Sequence, residues 1–256
     1  MDDPSHIYLA AQTRAPVYTY GIRASQADLS AGEFHGDLQG TDFTVRMQGR
    51  EERARLNLPG LFNVENLLAA ALTVHRLLDV PLAELCPQFP RLRGVTGRMQ
   101  AVQAGQPFQV IVDYAHTPQA FDKMLPLARQ YTSGRLIAVF GSAGERDVAK
   151  RSRQGEIAGR YCSILVLTDE DPRGENREAI LRDIACGCRL GKAQELHLEP
   201  DRRRAIQLAL GLARPEDTVL LLGKGHEDSI IYADGPIPWN EAEVAQEILS
   251  EMGFRG

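Results

Sequence analysis

The chain has 256 residues, an apolar fraction of 43% and a formal net charge of −5. That length allows one large or two modest domains with real cores, and the mild acidity carries no footprint for nucleic acid. No run of roughly 18 apolar residues occurs that would read as a transmembrane helix, and the acidic start Met1-Asp2-Asp3-Pro4-Ser5 does not read as a signal peptide. The four cysteines (Cys86, Cys162, Cys186, Cys188) are scattered. Cys186-Gly187-Cys188 lacks the two-residue spacer of a zinc or redox pair, so ordinary reduced thiols in a cytoplasmic protein are expected.

In chain order, Asp2–Gln12 suits one short helix and Val17–Tyr20 a strand. Leu29–Leu38, Thr41–Gln48 and Glu51–Leu58 alternate apolar and polar residues, as half-exposed antiparallel strands do. Asn63–Leu78 reads as a helix, with Leu67, Leu68, Ala71, Leu72, Val74, Leu77 and Leu78 at helical spacing. A short helix over Leu82–Phe89 follows Pro81. Arg91–Arg98, with Gly94 and Gly97 and no apolar period, reads as a linker. Beyond it the pattern changes to strand–loop–helix repeats. Strands are predicted at Met99–Gln103, Gln109–Asp113, Leu136–Phe140, Ile164–Thr168, Glu195–Leu198, Thr218–Leu222 and Ser229–Tyr232. Helices are predicted at Pro118–Tyr131, Ala149–Tyr161, Asn176–Cys186, Arg202–Ala213 and Asn240–Met252.

Four of these strands are continuous apolar runs, the mark of parallel strands covered on both faces. In such a sheet the strand carboxyl ends share one rim, where ligands bind. Four charged loops should therefore meet there. In Asp113-Tyr114-Ala115-His116-Thr117-Pro118, Thr117 is a credible N-cap with Pro118 at the first helical position, and the helix start suits an anion. Gly144-Glu145-Arg146-Asp147 with Lys150-Arg151 is either a solvated helix start or, given Gly141 and Gly144, backbone that approaches a ligand closely. In Thr168–Arg173, Glu170 and Asp171 are acceptors suited to an ammonium, and Arg173 is a planar fork suited to a carboxylate; the plainer reading is a turn around Pro172. In Gly223-Lys224-Gly225-His226-Glu227, Glu227 is a second ammonium acceptor. Together these describe a pocket for an amino-acid head group. No Gly-x-x-x-x-Gly-Lys-Ser/Thr phosphate loop occurs. Asn63 and Asn66 open the long helix, where amides either read a purine edge or cap, and Arg98 suits a phosphate.

Leu58–Ala70, Gly97-Arg98-Met99, Val112–Pro118, Gly144–Asp147 with Lys150-Arg151, Asp171-Pro172-Arg173, Asp201-Arg202 with Ala205-Ile206, and Gly223–Glu227 form an ordered series. That series resembles the Mur ligases, most closely the branch that adds a diamino acid to UDP-N-acetylmuramoyl-L-alanyl-D-glutamate. The resemblance implies an α/β protein: residues 1–97 as the end of a central ATPase domain, with an antiparallel sheet and helices, and residues 98–256 as a C-terminal Rossmann-like domain. It implies a cytoplasmic, monomeric ligase of peptidoglycan synthesis that uses ATP and Mg2+. ATP phosphorylates the terminal carboxylate of the nucleotide-peptide, and the incoming amine displaces phosphate. No nucleic acid or membrane is involved. Carried over by motif, Asn63, Asn66, Arg98, Asp113 and His116 would contact ATP, and Arg146, Asp171, Arg173, Gly223 and Glu227 would bind the diamino acid. The family's phosphate loop and carbamylated lysine would lie upstream of Met1, so no catalytic or metal-binding residue is expected in this stretch, and alone it should be inactive.

One departure stands out. Diaminopimelate-adding members usually show Asp-Asn-Pro-Arg, whereas here the loop is Glu170-Asp171-Pro172-Arg173. Arg173 favours a distal carboxylate, as in meso-diaminopimelate; a charged Asp171 would favour the bare ammonium of lysine or ornithine. Two alternatives share this architecture: a non-catalytic Mur-ligase-like binding module and a folylpolyglutamate-synthase-like ligase.

Overall fold

The computed structural model describes residues 1–37, 40–191 and 193–255. The chain divides into two compact units, Met1–Gly94 and Val95–Gly256, the break falling inside the Arg91–Arg98 stretch.

In the first unit, helix α1 (Ser5–Gln12) precedes a four-stranded sheet ordered β1 (Tyr20–Gly21), β2 (Leu29–Asp37), β3 (Gly40–Met47), β4 (Arg50–Leu56). β2, β3 and β4 are antiparallel, and β1 runs parallel to β2. The strand expected at Val17–Tyr20 is displaced: Val17 and Tyr18 are exposed, and pairing begins only at Tyr20. Leu38, the last residue of the predicted Leu29–Leu38 strand, lies outside the described residues. Helix α2 (Leu61–Leu78) begins two residues earlier than its apolar period suggested. It lays Val64, Leu67, Leu68, Ala71 and Leu72 against Leu29, Phe43, Val45 and Leu56 of the sheet. The expected Leu82–Phe89 helix splits into α3 (Leu82–Leu85) and a 3-10 turn over Cys86–Arg91. Pro87 and Pro90 lack the N–H that would carry an α-helix onward.

The second unit is built on a six-stranded sheet. Its order is β5 (Gln100–Ala101), β6 (Gln109–Asp113), β10 (Thr218–Leu222), β7 (Leu136–Phe140), β8 (Ile164–Leu167), β9 (Glu195–Leu198). All pairs are parallel except β5 with β6. Every residue of β7, β8 and β10 is buried, so both faces are covered, as continuous apolar strands require. One face carries Val110, Val112, Val139, Val166, Val219 and Leu221 against α7 (Arg202–Leu212) and α8 (Glu241–Glu251). On the other, Phe121 of α4 (Pro118–Tyr131) meets Phe140 edge-on at 5.2 Å, and α5 (Ala149–Tyr161) and α6 (Arg177–Cys188) continue the layer. Side-chain caps start α4, α6, α7 and α8: Thr117, Asn176, Asp201 and Asn240 each accept a backbone N–H three residues on, each cap contributing about 1 kcal/mol.

Two sequence expectations need correction. The strand predicted over Met99–Gln103 shortens to β5, because Met99 sits at φ +45° and leaves the extended region. The strand β11 (Ser229–Tyr232) pairs not with the main sheet but with β12 (Gly235–Pro238) as an antiparallel hairpin. β12 escaped the sequence reading because Pro236 and Pro238 argue against a strand and suit only an edge. No helix among the described residues is long and apolar enough to cross a membrane.

Candidate functional site

The carboxyl ends of β6, β10, β7 and β8 deliver the four charged loops to one rim of the second unit, where they are tied to one another. Gly223 N–H donates to the Asp113 carbonyl at 3.1 Å, and Gly144 N–H to the Asp171 carbonyl at 2.8 Å. The Lys224 ammonium reaches Asp171 Oδ1 at 2.8 Å and Glu227 Oε2 at 2.7 Å. Tyr114 Oη donates to Glu227 Oε1 at 3.3 Å. From α5, Lys150 and Gln154 both donate to the His116 carbonyl.

The glycines of these loops serve loop-to-loop packing. A Cβ on Gly141 would lie 2.2 Å from the Thr168 carbonyl oxygen, and one on Gly144 2.1 Å from that of Pro172. What these glycines admit is therefore the neighbouring loop's backbone, a correction to the expectation that they admit a ligand. Gly223 sits at φ +104°, where only glycine is unstrained, and its Cβ position is 3.4 Å from Glu170 Oε2. Gly97 and Gly225 also have positive φ; a Cβ on Gly97 would strike His226 N at 2.1 Å.

The expected amino-acid residues divide by what they already hold. Asp171 is buried, and its Oδ1 accepts from both Lys224 and the Ile231 N–H. Arg173 has φ +53°, and its N–H is pinned to the Ile231 carbonyl at 2.9 Å. Its guanidinium Nε is buried with no hydrogen-bond partner among the described residues, and so is Glu170 Oε2. Burial pushes the Glu170 carboxyl up to about 7, against the pull of Lys150, Arg202 and Lys224. Buried groups left unsatisfied, here a carboxyl and a guanidinium in one loop, mark a place suited to a ligand. Arg146 is exposed.

The expected nucleotide residues divide similarly. Asp113 is a brace: Oδ2 accepts the Met99 N–H and Oδ1 the Ala115 N–H, both at 2.8 Å. Burial raises its carboxyl above the usual range, opposed by those two bonds and by Arg98. The Arg98 guanidinium lies over the Tyr114 ring at 4.6 Å, leaving its N–H edge for an anion. His116 packs on the same ring at 4.5 Å, and its Nδ1 is 2.9 Å from the Tyr114 carbonyl. In the first unit, Asn63 lies within α2 and its Nδ2 donates to the Pro59 carbonyl at 2.7 Å; it does not cap the helix, whose N-cap position is Gly60, with no side-chain cap. Asn66 is exposed and lines an open groove of about 760 Å3 with Tyr18, Tyr20 and Glu65. Among the described residues no group of three or more His, Cys, Asp or Glu is arranged to hold a metal ion.

Sequence reasoning assigned no role to Arg202 or Lys224. Arg202 is buried, grips Glu241 at 2.6 and 2.9 Å, and donates to the carbonyls of Asp169 and Leu222, lashing the ends of β8 and β10 together. Both residues lie in charged motifs, but nothing local in sequence separates a buried cation from a solvated one.

A parallel sheet wound in this order, with charged loops joined along its carboxyl edge, defines a Rossmann-like α/β domain. The family model for the Mur ligase, glutamate ligase domain matches residues 97–225, and that for the Mur ligase middle domain matches residues 1–74. The chain therefore belongs to the Mur ligase family. It is 50% identical over 260 residues to the UDP-N-acetylmuramyl-tripeptide synthetase of Roseiflexus sp. (strain RS-1), covering 100% of this chain and 51% of that relative. It is 38% identical over 251 residues to the UDP-N-acetylmuramoyl-L-alanyl-D-glutamate–2,6-diaminopimelate ligase of Caldanaerobacter subterraneus subsp. tengcongensis, covering 98% and 51%. A solved structure of a ligase of the latter name superposes with a TM-score of 0.70 at 29% identity, covering 99% of this chain and 52% of that one. The chain spans about half the length of the curated relatives it matches.

Proposed function

We propose that the chain is part of an ATP-dependent, amide-forming ligase that adds a diamino acid to UDP-N-acetylmuramoyl-L-alanyl-D-glutamate through an acyl phosphate, in the cytoplasm, during peptidoglycan synthesis. On this reading residues 1–97 are the end of the central ATPase domain and residues 98–256 the C-terminal domain. The second unit's task is to hold the incoming amino acid. Such catalysis is chiefly positioning and charge neutralisation. Arg98, stacked on Tyr114 and placed by Asp113, presents a fixed cation to a phosphate. Mg2+ would belong to the whole enzyme; the residues described here do not form a cage for it, and no step is assigned to it on this stretch.

One observation carries the amino-acid reading: Glu170 Oε2 and Arg173 Nε, buried and without partners, lie in the same loop. They match the ammonium and carboxylate of a zwitterionic end group. Asp171 cannot recruit a bare ammonium as freely as its charge suggested, because Lys224 already neutralises it at 2.8 Å. This favours meso-diaminopimelate, whose distal end is itself zwitterionic, over lysine or ornithine. The test is calorimetric titration of the chain with all three at millimolar concentration. Diaminopimelate should bind tightest. Equal or tighter binding of lysine or ornithine would overturn the choice of substrate, and no heat with any would overturn the amino-acid site.

A further inference from the structure

The hairpin of β11 and β12 stands outside the main sheet. Its register runs from Ser229 opposite Pro238 to Tyr232 opposite Gly235, across the two-residue turn Ala233-Asp234. The Trp239 N–H closes the open end on the Asp228 carbonyl at 2.8 Å. β12 covers one edge of β11. Pro236, opposite Ile231, offers no N–H, and the alternation of an antiparallel ladder turns the N–H and carbonyl of Ile231 to the outer edge. That edge lies along the loop after β8. The Ile231 N–H donates to Asp171 Oδ1 at 3.0 Å, the Ile231 carbonyl accepts the Arg173 N–H at 2.9 Å, and Arg173 and Tyr232 form a parallel bridge. An asparagine at 171 would accept the same bond through its amide oxygen, so this contact does not depend on the charge of Asp171.

Side chains repeat the tie. Asp169, buried just past the end of β8, holds the Arg177 guanidinium at 2.7 and 2.6 Å. That guanidinium lies 5.3 Å from the centre of the Tyr232 ring, within the reach at which an aromatic face attracts a cation. Tyr232 therefore rests on a cation that is itself fixed to the β8 loop. What the tie holds is Arg173. A left-handed arginine is disfavoured on its own and persists only where its surroundings hold it. Here φ is +53°, and the single backbone donor of Arg173 ends on β11. With the hairpin loose, the backbone at Arg173 is free to leave that conformation, and the guanidinium moves with it.

We propose that the β11–β12 hairpin, seated by the Tyr232 ring on Arg177, sets the position of the Arg173 guanidinium, and that Tyr232 is thereby a positioning residue for discrimination between amino acids with and without a distal carboxylate. The selectivity half rests on the diamino-acid reading of the rim; the anchoring half does not.

The experiment compares Tyr232→Ala, Tyr232→Phe, Arg173→Met and Tyr232→Ala combined with Arg173→Met in the 256-residue chain. The first readout is the calorimetric Kd for diaminopimelate and for lysine. Tyr232→Ala should raise the Kd for diaminopimelate about fivefold to tenfold, approaching the loss of one charged contact, and that for lysine less than about twofold. Tyr232→Phe keeps the ring over Arg177 and should stay within about twofold for both. In the Arg173→Met background the alanine change should weaken diaminopimelate by less than about a further twofold, because a residue that acts through Arg173 has nothing left to act on. Equal weakening of the two amino acids, losses that add to that of Arg173→Met, or a phenylalanine variant as weak as the alanine one each overturn the proposal.

The second readout is amide exchange in the unliganded chain. Tyr232→Ala should speed exchange of the Arg173 N–H about tenfold or more and leave within about threefold that of the Gly144 N–H, which is bound to the Asp171 carbonyl from the loop after β7. Unchanged exchange at Arg173 overturns the anchoring, and equal acceleration at both amides overturns it as well, since the whole loop has then loosened. If the unaltered chain binds neither amino acid, the selectivity half falls together with the diamino-acid reading, while amide exchange still decides the anchoring.

Discussion

Replacing Arg202 by methionine removes the brace beneath the rim. Arg202 is fully buried, with Nη2 and Nε on Glu241 at 2.6 and 2.9 Å, Nη1 on the Asp169 carbonyl at 2.7 Å and Nη2 on the Leu222 carbonyl at 2.8 Å. Methionine preserves most of the volume, so the loss is electrostatic. Glu241, itself fully buried, would keep, among the described residues, the Trp239 indole N–H as its one side-chain donor. Breaking one side of such a pair costs about 3–5 kcal/mol. The two orphaned carbonyls would add about 1 kcal/mol each if fully separable, which in a shared network they are not. The expected loss is about 4–5 kcal/mol, a large share of the roughly 5–15 kcal/mol that holds a domain together. Trp239 is the single tryptophan, so urea unfolding followed by its fluorescence reports on the second unit. Arg202→Met combined with Glu241→Leu should recover at least half of the loss, since it leaves orphaned carbonyls but no orphaned charge. A loss below about 1 kcal/mol in the single variant would refute the reasoning, because it would mean that Glu241 finds water or a proton at little cost.

Three further outcomes are expected. Gly144→Ala forces a Cβ to within 2.1 Å of the Pro172 carbonyl oxygen, so the β7 and β8 loops must part; about 1–3 kcal/mol of stability should be lost, and an unchanged urea midpoint would contradict the packing. Glu170 holds its proton to about 7 in the fold against an ordinary 4.5, so the folded state binds the extra proton between those values; stability should fall as pH rises from 4.5 to 7 and level off above. Glu170→Gln should remove that falling limb, and an unaltered slope of the urea midpoint with pH would count against a buried, unpaired carboxyl. Arg173→Met should raise the Kd for diaminopimelate about tenfold or more, the value of one charged hydrogen bond, and raise that for lysine much less; equal effects in titration would deny Arg173 a distal carboxylate.

The main sheet was legible because its signal is dense. Val110–Val112, Leu136–Phe140, Ile164–Leu167 and Val219–Leu222 are unbroken apolar runs, and burial on both faces admits few other readings. The cap Thr117, followed by Pro118, fixed the start of α4 by local chemistry. The losses occurred where tertiary context overrides local pattern. The Asp113 carboxylate accepts the N–H of Met99, which stands in a left-handed conformation that no sequence period displays. Gly141 and Gly144 looked like ligand cradles, but the backbone they admit comes from a loop nearly thirty residues away. The β12 strand hid behind two prolines. The pairing of Asp171 with Lys224 was not legible, because Lys224 stands fifty-three positions further on.

The central claim is that the loops after β7, β8 and β10 form one site for a diamino acid. Hydrogen–deuterium exchange on the chain, with and without meso-diaminopimelate, tests it most directly. Slowed exchange is expected together in residues 141–147, 168–177 and 223–232. Protection confined to other segments, such as the groove lined by Tyr18 and Asn66, or no protection at saturating ligand, would contradict it.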